Sequence, residues 1–197
     1  MTLPLYKLII NEDDTDATGV MAIALVDNPA IEINWMAFNK HIQHTFKTAD
    51  PEKRIISGAL MVAGQKIYRK DDQIGEYEVL FDADTINKIV QKFFRNGNTS
   101  SVNLMHDENN KPNGVYMIES FIIDSKRGIN TPKGFDELPD GSWFGSFKVD
   151  NEVLWNEYIK TGVFNGFSVE GFFNNAPVDT GEELMAKVKD LLQNGTL

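Results

Sequence analysis

The sequence predicts a β-rich α+β domain, and three observations support this fold class. Apolar residues make up 42% of the 197-residue chain and aromatic residues 11%, as in a globular domain with a hydrophobic core. Short apolar runs bounded by turn residues, typical of strands, outnumber the segments with helical spacing. No internal repeat or low-complexity tract interrupts this pattern.

The strand predictions follow the short apolar runs and the turn residues that separate them. Strands are predicted over residues 5–10, 54–63, 66–69, 77–81, 101–105, 115–124, 143–149 and 167–173, and a further apolar stretch covers 21–29. The stretch 126–141 is rich in Gly, Pro and Asp, which indicates a surface loop. Residues 48–53 are predicted to be a polar connector.

Helical spacing appears in three places. Asp84 is the predicted N-cap of a first helix that ends at Gly97, and Asp150 the predicted cap of a second that ends at Gly162. The apolar positions that define them are Ile86, Ile89, Val90, Phe93 and Phe94, then Leu154, Trp155, Tyr158 and Ile159. A short charged amphipathic helix is predicted over 182–192.

The chain divides into three zones by composition. Residues 1–47 form an N-terminal segment with an acidic loop over 12–16, and a propeptide, a docking arm and a part of the fold all stay open for it. Residues 48–176 form the main domain, and 177–197 a tail with the short helix. The acidic loop lacks the central Gly and regular alternation of a calcium loop, so a solvated loop is the better interpretation.

Charge and cysteine content exclude several kinds of function. The net charge of −10 argues against a nucleic-acid surface and against docking on anionic lipid, since both need clustered Lys and Arg. The absence of cysteine excludes disulfides, thiolate metal sites and Cys nucleophiles. No apolar run is long enough for a membrane span, and the start does not resemble a signal peptide. We therefore expect a soluble intracellular protein without nucleic-acid or membrane partners.

Three histidines are available for catalysis or metal binding. His41 and His44 lie three apart and would share one face of a helix, but no third ligand set stands out nearby. A solvated surface pair is the better interpretation, and neither a metal nor another cofactor is expected. His106 ends the apolar run 102–105, where a rigid strand can present a side chain to a cleft. An ordinary histidine at a strand end is the alternative.

Ser168 is the candidate nucleophile. It lies in a predicted strand between Gly166 and Gly171, and glycine permits close backbone approach beside a nucleophile. The second glycine comes one place too late for the elbow of α/β-hydrolases. A structural serine in a glycine-flanked strand is the alternative.

Glu170 is the candidate orienting acid. Side chains two apart in a strand project from one face about 6–7 Å apart, so an imidazole between Ser168 and Glu170 can bond to both. A triad needs this arrangement, with the nucleophile bonded to the base and the base to the acid. A solvent-facing Glu170 is the alternative, and Asp107 is a rival third member.

These pieces together resemble a known family. The order of elements resembles that of the phage prohead serine proteases. It runs from a strand and a helix to a strand ending in Met105-His106-Asp107, then through a long strand, a Trp143-containing strand and a helix to Asn165–Gly171. The resemblance covers about 54–175 and is closest to the branch of phage serine proteases of defective-prophage-like elements. The stretch 24–30 also resembles the start of that branch.

The resemblance implies a fold like herpesvirus assemblin, a small antiparallel β-barrel with flanking helices. It also implies a serine endopeptidase inside the assembling prohead, in the host cytoplasm. The enzyme would cleave the scaffold protein, or the scaffold-like region of the major capsid protein, and itself, and it could form a homo-oligomer. His106 and Ser168 match the family's base and nucleophile.

Two features depart from the assemblin pattern. Assemblin uses a second histidine, but no histidine follows Ser168, so Glu170 is the choice for third member, with Asp107 and Asp179 behind it. No arginine follows Ser168 either, and backbone groups near Gly166 and Phe167 become the candidate oxyanion or substrate contacts. The rival interpretations are an inactive capsid or scaffold component with a protease-like fold, a small adaptor domain, and a metal-dependent hydrolase using His41 and His44.

Overall fold

The computed structural model describes residues 3–11, 18–27, 44–72, 74–135 and 137–178. Its strands are β1 Leu5–Ile9, β2 Gly19–Val26, β3 His44–Thr45, β4 Lys47–Asp50, β5 Ile55–Met61, β6 Ile67–Asp71, β7 Gly75–Leu80, β8 Val102–Leu104, β9 Val115–Ile122, β10 Trp143–Val149, β11 Gly166–Phe172 and β12 Asn174–Pro177. The helices are α1 Ala83–Arg95, 3₁₀ turns at Asn98–Ser100 and Ser125–Arg127, and a π-helix at Leu154–Ile159. This content confirms the β-rich α+β class.

The described strands form three four-stranded sheets, in the orders β12-β1-β7-β6, β4-β5-β10-β9 and β3-β11-β2-β8. No closed barrel forms among them, so the predicted small antiparallel barrel is not what the described part of the chain shows. Two pairs, β1 with β7 and β2 with β8, are parallel. Each sheet is therefore a separate open layer, two of them mixed, and edge strands remain where a barrel would have none.

The N-terminal segment supplies three of the described strands, β1, β2 and β3, and the first residue of β4. β1 lies between β12 and β7, and β2 lies between β11 and β8. β2 contributes buried side chains, including Ile23 and Leu25, to the main core. This described part of 1–47 is thus paired with strands of the main domain, and the strand of Ser168 rests on it.

Aromatic side chains fill the space between the sheets. The Phe167 ring of β11 contacts Phe46 and Phe147, with ring centroids 5.1 and 5.0 Å away. Gly58 of β5 lets this layer approach, because a Cβ there would lie 3.2 Å from the Phe167 ring. Phe93 of α1 packs edge-on against Trp143. The packing fixes β11 from its buried side.

The capping residues differ from those predicted. Asp82, not Asp84, caps α1, since its side chain accepts a 2.8 Å hydrogen bond from the Thr85 N–H. Asn151 Oδ1, not Asp150, accepts from the Leu154 N–H at the start of the second helix. Asp150 instead pairs with Lys148 on β10. In both places two polar residues lie close together, and side-chain geometry decides which one caps.

Three other predictions, for the connector, the last helix and the long loop, have different outcomes. The connector at 48–53 is partly strand, because Lys47–Asp50 pairs with β5. The predicted helix 182–192 lies outside the described residues. The loop over 126–141 includes the end of a 3₁₀ turn and is packed through Phe135, whose ring stands edge-on to Phe144. Among the described residues, no helix has the length and apolarity that crossing a membrane requires.

Candidate active site

Ser168 and Glu170 project from the same face of β11. Their neighbours Phe167 and Val169 point to the opposite face, where they are buried in the core. Across the β2 pairing, Ser168 lies opposite Ala24 and Glu170 opposite Ala22. Because these partners are small, the face between β11 and β8 has room for larger side chains.

The backbone of Ser168 faces β2. Ile23 donates its N–H to Ser101 and Leu25 accepts from Met105, so both turn their peptide groups toward β8. Strand residues alternate, which points the peptide groups of Ala24 toward its partner Ser168. The next peptide groups along β11, those of Phe167 and Val169, point toward the β3 side.

His106 lies in a tight turn after β8, and not at the end of the strand as predicted. β8 ends at Leu104, and Met105 and His106 have φ of 56° and 59°, in the left-handed region. The Asp107 N–H donates back to the Leu104 carbonyl at 3.0 Å, which closes the turn. The Met105 N–H is held by the Leu25 carbonyl. The turn directs His106 over the sheet instead of along β8.

The turn brings His106 to Glu170. His106 Nδ1 lies 3.6 Å from Glu170 Oε2, and each side chain is 23% exposed. This separation is long for a hydrogen bond. The two side chains form an ion pair when the imidazole is protonated. Nδ1 is buried and has no hydrogen-bond partner among the described residues. The carboxylate is the anion positioned to orient this imidazole.

Two opposing effects act on the pKa of His106. Burial disfavours the charged imidazolium and lowers the pKa below its usual value, while the nearby Glu170 carboxylate raises it. Burial is the larger effect, so the net shift is downward. A buried, neutral imidazole beside a carboxylate is suited to accept a proton.

Asn103 is part of the same cluster, although the sequence reasoning did not single it out. It is 1% exposed, and its Nδ2 donates a 2.5 Å hydrogen bond to Glu170 Oε2. In the sheet it lies opposite Ala24, which lies opposite Ser168. A polar residue inside the apolar run 102–105 was the available signal.

Ser168 shares the sheet face with this cluster but is not hydrogen-bonded to it. Among the described residues, no hydrogen bond joins the Ser168 hydroxyl to His106, so the structure brings together His106, Glu170 and Asn103 and places Ser168 two residues along β11. Apo sites often have long catalytic contacts that shorten when substrate binds. The arrangement has the base, the acid and the serine on one face.

The other predicted site residues lie elsewhere. Asp107 accepts from the Asn109 N–H within the turn. Phe167 is a core side chain whose backbone pairs with His44 of β3, and Gly166 is buried at the start of β11. Asp179, His41 and the side chain of His44 lie outside what the structure describes. Within the described residues no group of three acidic or histidine side chains is arranged to hold a metal.

Comparison with known families identifies the chain. Residues 41–176 match the family model described as "Putative phage serine protease XkdF", which is more than half of the sequence. The chain belongs to this phage serine protease family. The matched region contains His106, Ser168, Glu170 and Asn103 but not Asp179. Neither a curated protein nor a solved structure matched the chain.

Proposed function

We propose that this member of the phage serine protease family is a prohead-maturation endopeptidase. Ser168 is its nucleophile, His106 its general base and Glu170 its orienting acid. One observation carries the assignment: in a family of phage serine proteases, the turn after β8 places His106 against Glu170, on the face of β11 that bears Ser168.

The mechanism follows from these positions. The neutral imidazole of His106 takes the Ser168 proton as the hydroxyl attacks the scissile carbonyl. Glu170, on the Nδ1 side, holds the ring so that Nε2 faces the nucleophile and stabilises the imidazolium that forms. The proton then passes to the leaving amine, an acyl-enzyme remains, and water releases the product and regenerates Ser168.

The oxyanion is assigned to the backbone N–H of Val169, on the β3 side of β11. The peptide groups of Ser168 face β2 and those of Phe167 pair with His44 of β3, whereas those of Val169 point to the β3 side beyond that pair. No arginine follows Ser168 in the sequence, so a guanidinium from that part of the chain does not supply this charge. Backbone N–H groups held by a sheet are preorganised, as oxyanion stabilisation requires.

The proposed substrates are the scaffold protein, the scaffold-like region of the major capsid protein, and the chain itself. The proposed place is the interior of the assembling prohead in the host cytoplasm. A net charge of −10 suits confinement with partners that carry basic surfaces. Self-association of the chain within the particle belongs to the same proposal.

Co-expression with the capsid and scaffold proteins encoded beside this chain tests the function. Intact masses would be compared between wild type and Ser168→Ala, with Ser57→Ala as a matched control at a buried serine of β5. Defined fragments in wild type and Ser57→Ala, absent in Ser168→Ala, support the protease. Assembled particles with the same uncut masses in all three would reject it.

The second candidate is an inactive capsid component that keeps the protease fold. The observation in its favour is that the described residues show no Ser168–His106 hydrogen bond. In that case Ser168→Ala and His106→Gln would leave particle yield and composition unchanged. Under the protease proposal both variants accumulate uncut scaffold, which separates the two.

A further inference from the structure

We infer that Asn103 is a positioning residue that holds the Glu170 carboxylate against His106. The inference rests on the proposed roles of His106 and Glu170. It adds a member to the site on a different strand, β8, where neither the family match nor the sequence pattern assigns a function.

The first support is the hydrogen bond itself. The same oxygen of Glu170 makes both contacts. Its Oε2 accepts a hydrogen bond from Asn103 Nδ2 at 2.5 Å and lies 3.6 Å from His106 Nδ1. An ionised carboxylate only accepts hydrogen bonds, so the donor end of the amide has to face it. Asn103 therefore fixes the oxygen that the imidazole meets.

The second support is the location of Asn103 in the sheet. Its side chain reaches Glu170 across β2, where Ala22 and Ala24 are the intervening residues. Both are small, and Ala24 is fully buried. A larger residue at either place would stand between the amide and the carboxylate. The Asn103–Glu170 hydrogen bond joins β8 to β11 across this face.

The third support is the other end of the amide. Asn103 Oδ1 is buried and has no hydrogen-bond partner among the described residues. A buried acceptor without a partner destabilises a fold, so a contribution to the stability of the fold does not explain an asparagine at this position. Its donor end makes the contact to Glu170, which points to a role in the site.

Among the described residues, the charged residues placed near His106 come from β11, from its own turn and from the end of β2, where the Asp27 N–H contacts Met105 Sδ. Glu170 reaches it from β11, while Asp107 and Glu108 follow it in its own turn, where Asp107 accepts from the Asn109 N–H. Of these, Glu170 is the group whose charge raises the pKa of His106. Loss of the Asn103 hydrogen bond lets this carboxylate turn toward water, so the His106 titration midpoint should then fall to lower pH.

The test is a proton NMR titration of the His106 ring, which does not depend on proteolysis. The ring signal is assigned by its absence in His106→Gln. Asn103→Leu should shift the midpoint in the same direction as Glu170→Gln. In the Glu170→Gln background, Asn103→Leu should add little, because the charge that Asn103 positions is already gone. Ser57→Ala/Ser146→Ala, which removes a buried 2.8 Å polar pair in another sheet, should leave the midpoint unchanged.

Cleavage provides the second readout. If the proposed protease is active, Asn103→Leu should lower kcat/KM roughly 10- to 100-fold, by analogy with the loss that follows removal of a hydrogen-bond partner of a metal ligand. The loss should be in kcat more than in KM. A shifted titration in a chain without cleavage would uphold the role of Asn103 and reject the protease, so the two proposals fail separately.

Two results would overturn the inference. One is a folded Asn103→Leu whose His106 midpoint equals that of wild type. The other is unfolding of both Asn103→Leu and Asn103→Ser, which would show that the residue is needed for the fold. Asn103→Ser, with a hydroxyl too short to reach Glu170, should otherwise reproduce the shift.

Discussion

His106 Nδ1 lies 3.6 Å from Glu170 Oε2, and the turn that allows this contact has unusual backbone geometry. Met105 and His106 both have positive φ, in the region that non-glycine residues rarely adopt. Such residues cost about 1–3 kcal/mol each and persist when surrounding contacts determine them. The strain is located at the residue that we propose as the base, where positioning matters most.

Glu170→Gln should lower kcat/KM, by between about 10-fold and 10³-fold, which is less than Ser168→Ala or His106→Gln should cost. The amide keeps the shape of the side chain but loses the charge that stabilises the imidazolium. Glu108→Gln, an exposed change near the His106 turn, is the matched control. Steady-state kinetics on a peptide that spans an identified cleavage site measure both. Wild-type activity in Glu170→Gln would remove it from the triad.

The acid limb of the pH profile should lie below about pH 6.5, the ordinary histidine pKa. The base must be neutral, so kcat/KM rises as pH passes upward through the pKa of His106. Burial lowers that pKa and the Glu170 charge opposes the decrease. Glu170→Gln should therefore move the limb to still lower pH. An acid limb displaced upward in this variant would contradict the sign of the effect.

Asp82→Ala should destabilise the fold by about 0.5–2 kcal/mol, the usual cost of losing an N-cap side chain. Asp84→Ala, two residues further along in the first turn, should cost less, since Asp84 stabilises the helix through its dipole and does not cap it. Urea unfolding of both variants at neutral pH gives the comparison. Equal losses would favour the cap that the sequence alone predicted.

The Asp82 contribution should also depend on pH. Although burial raises the pKa of Asp82, hydrogen bonds from Lys7 and Thr85 outweigh it and lower the pKa. A lowered folded-state pKa means that the stabilisation is present above the unfolded value, about pH 3.9, and is lost as pH falls through the folded value. The difference between wild type and Asp82→Ala should thus shrink in acid.

Gly171→Ala should destabilise the chain by roughly 1–3 kcal/mol or more, as overpacking does. A Cβ at this position would lie 2.0 Å from the Gly19 carbonyl oxygen, across the β2–β11 pairing. Gly64→Ala is the control: its φ is 73° and nothing lies within 4 Å, so it tests backbone strain without a clash. Thermal unfolding should rank Gly171→Ala as the more damaging. The reverse order would mean that the β2 backbone moves away from position 171 and relieves the clash.

Local pattern was sufficient for most elements and for part of the site. Strand runs such as Trp143–Val149 and the amphipathic face of α1 depend on nearby residues, and both are seen. The pairing of Ser168 and Glu170 on one face also follows from strand alternation. The contact between His106 and Glu170 needed the turn after β8, whose left-handed residues carry no glycine signal.

The pairing of strands that are distant in the chain could not be predicted from the sequence. The parallel pairs β1–β7 and β2–β8 bring together segments far apart in the chain, and no local periodicity specifies them. The barrel was expected from the family resemblance and not from the strand pattern, and the part played by β2 was missed because its partner strands lie far along the chain. Asn103 was missed for the same cause, since its role depends on the strand that lies between it and Glu170.

Covalent labelling tests whether Ser168 is a nucleophile activated by His106. The purified chain would be treated with a fluorophosphonate, and the modified peptide located by mass spectrometry. We expect an adduct on Ser168 that is absent in Ser168→Ala and strongly reduced in His106→Gln. An unlabelled Ser168 in wild type, or equal labelling in His106→Gln, would contradict it.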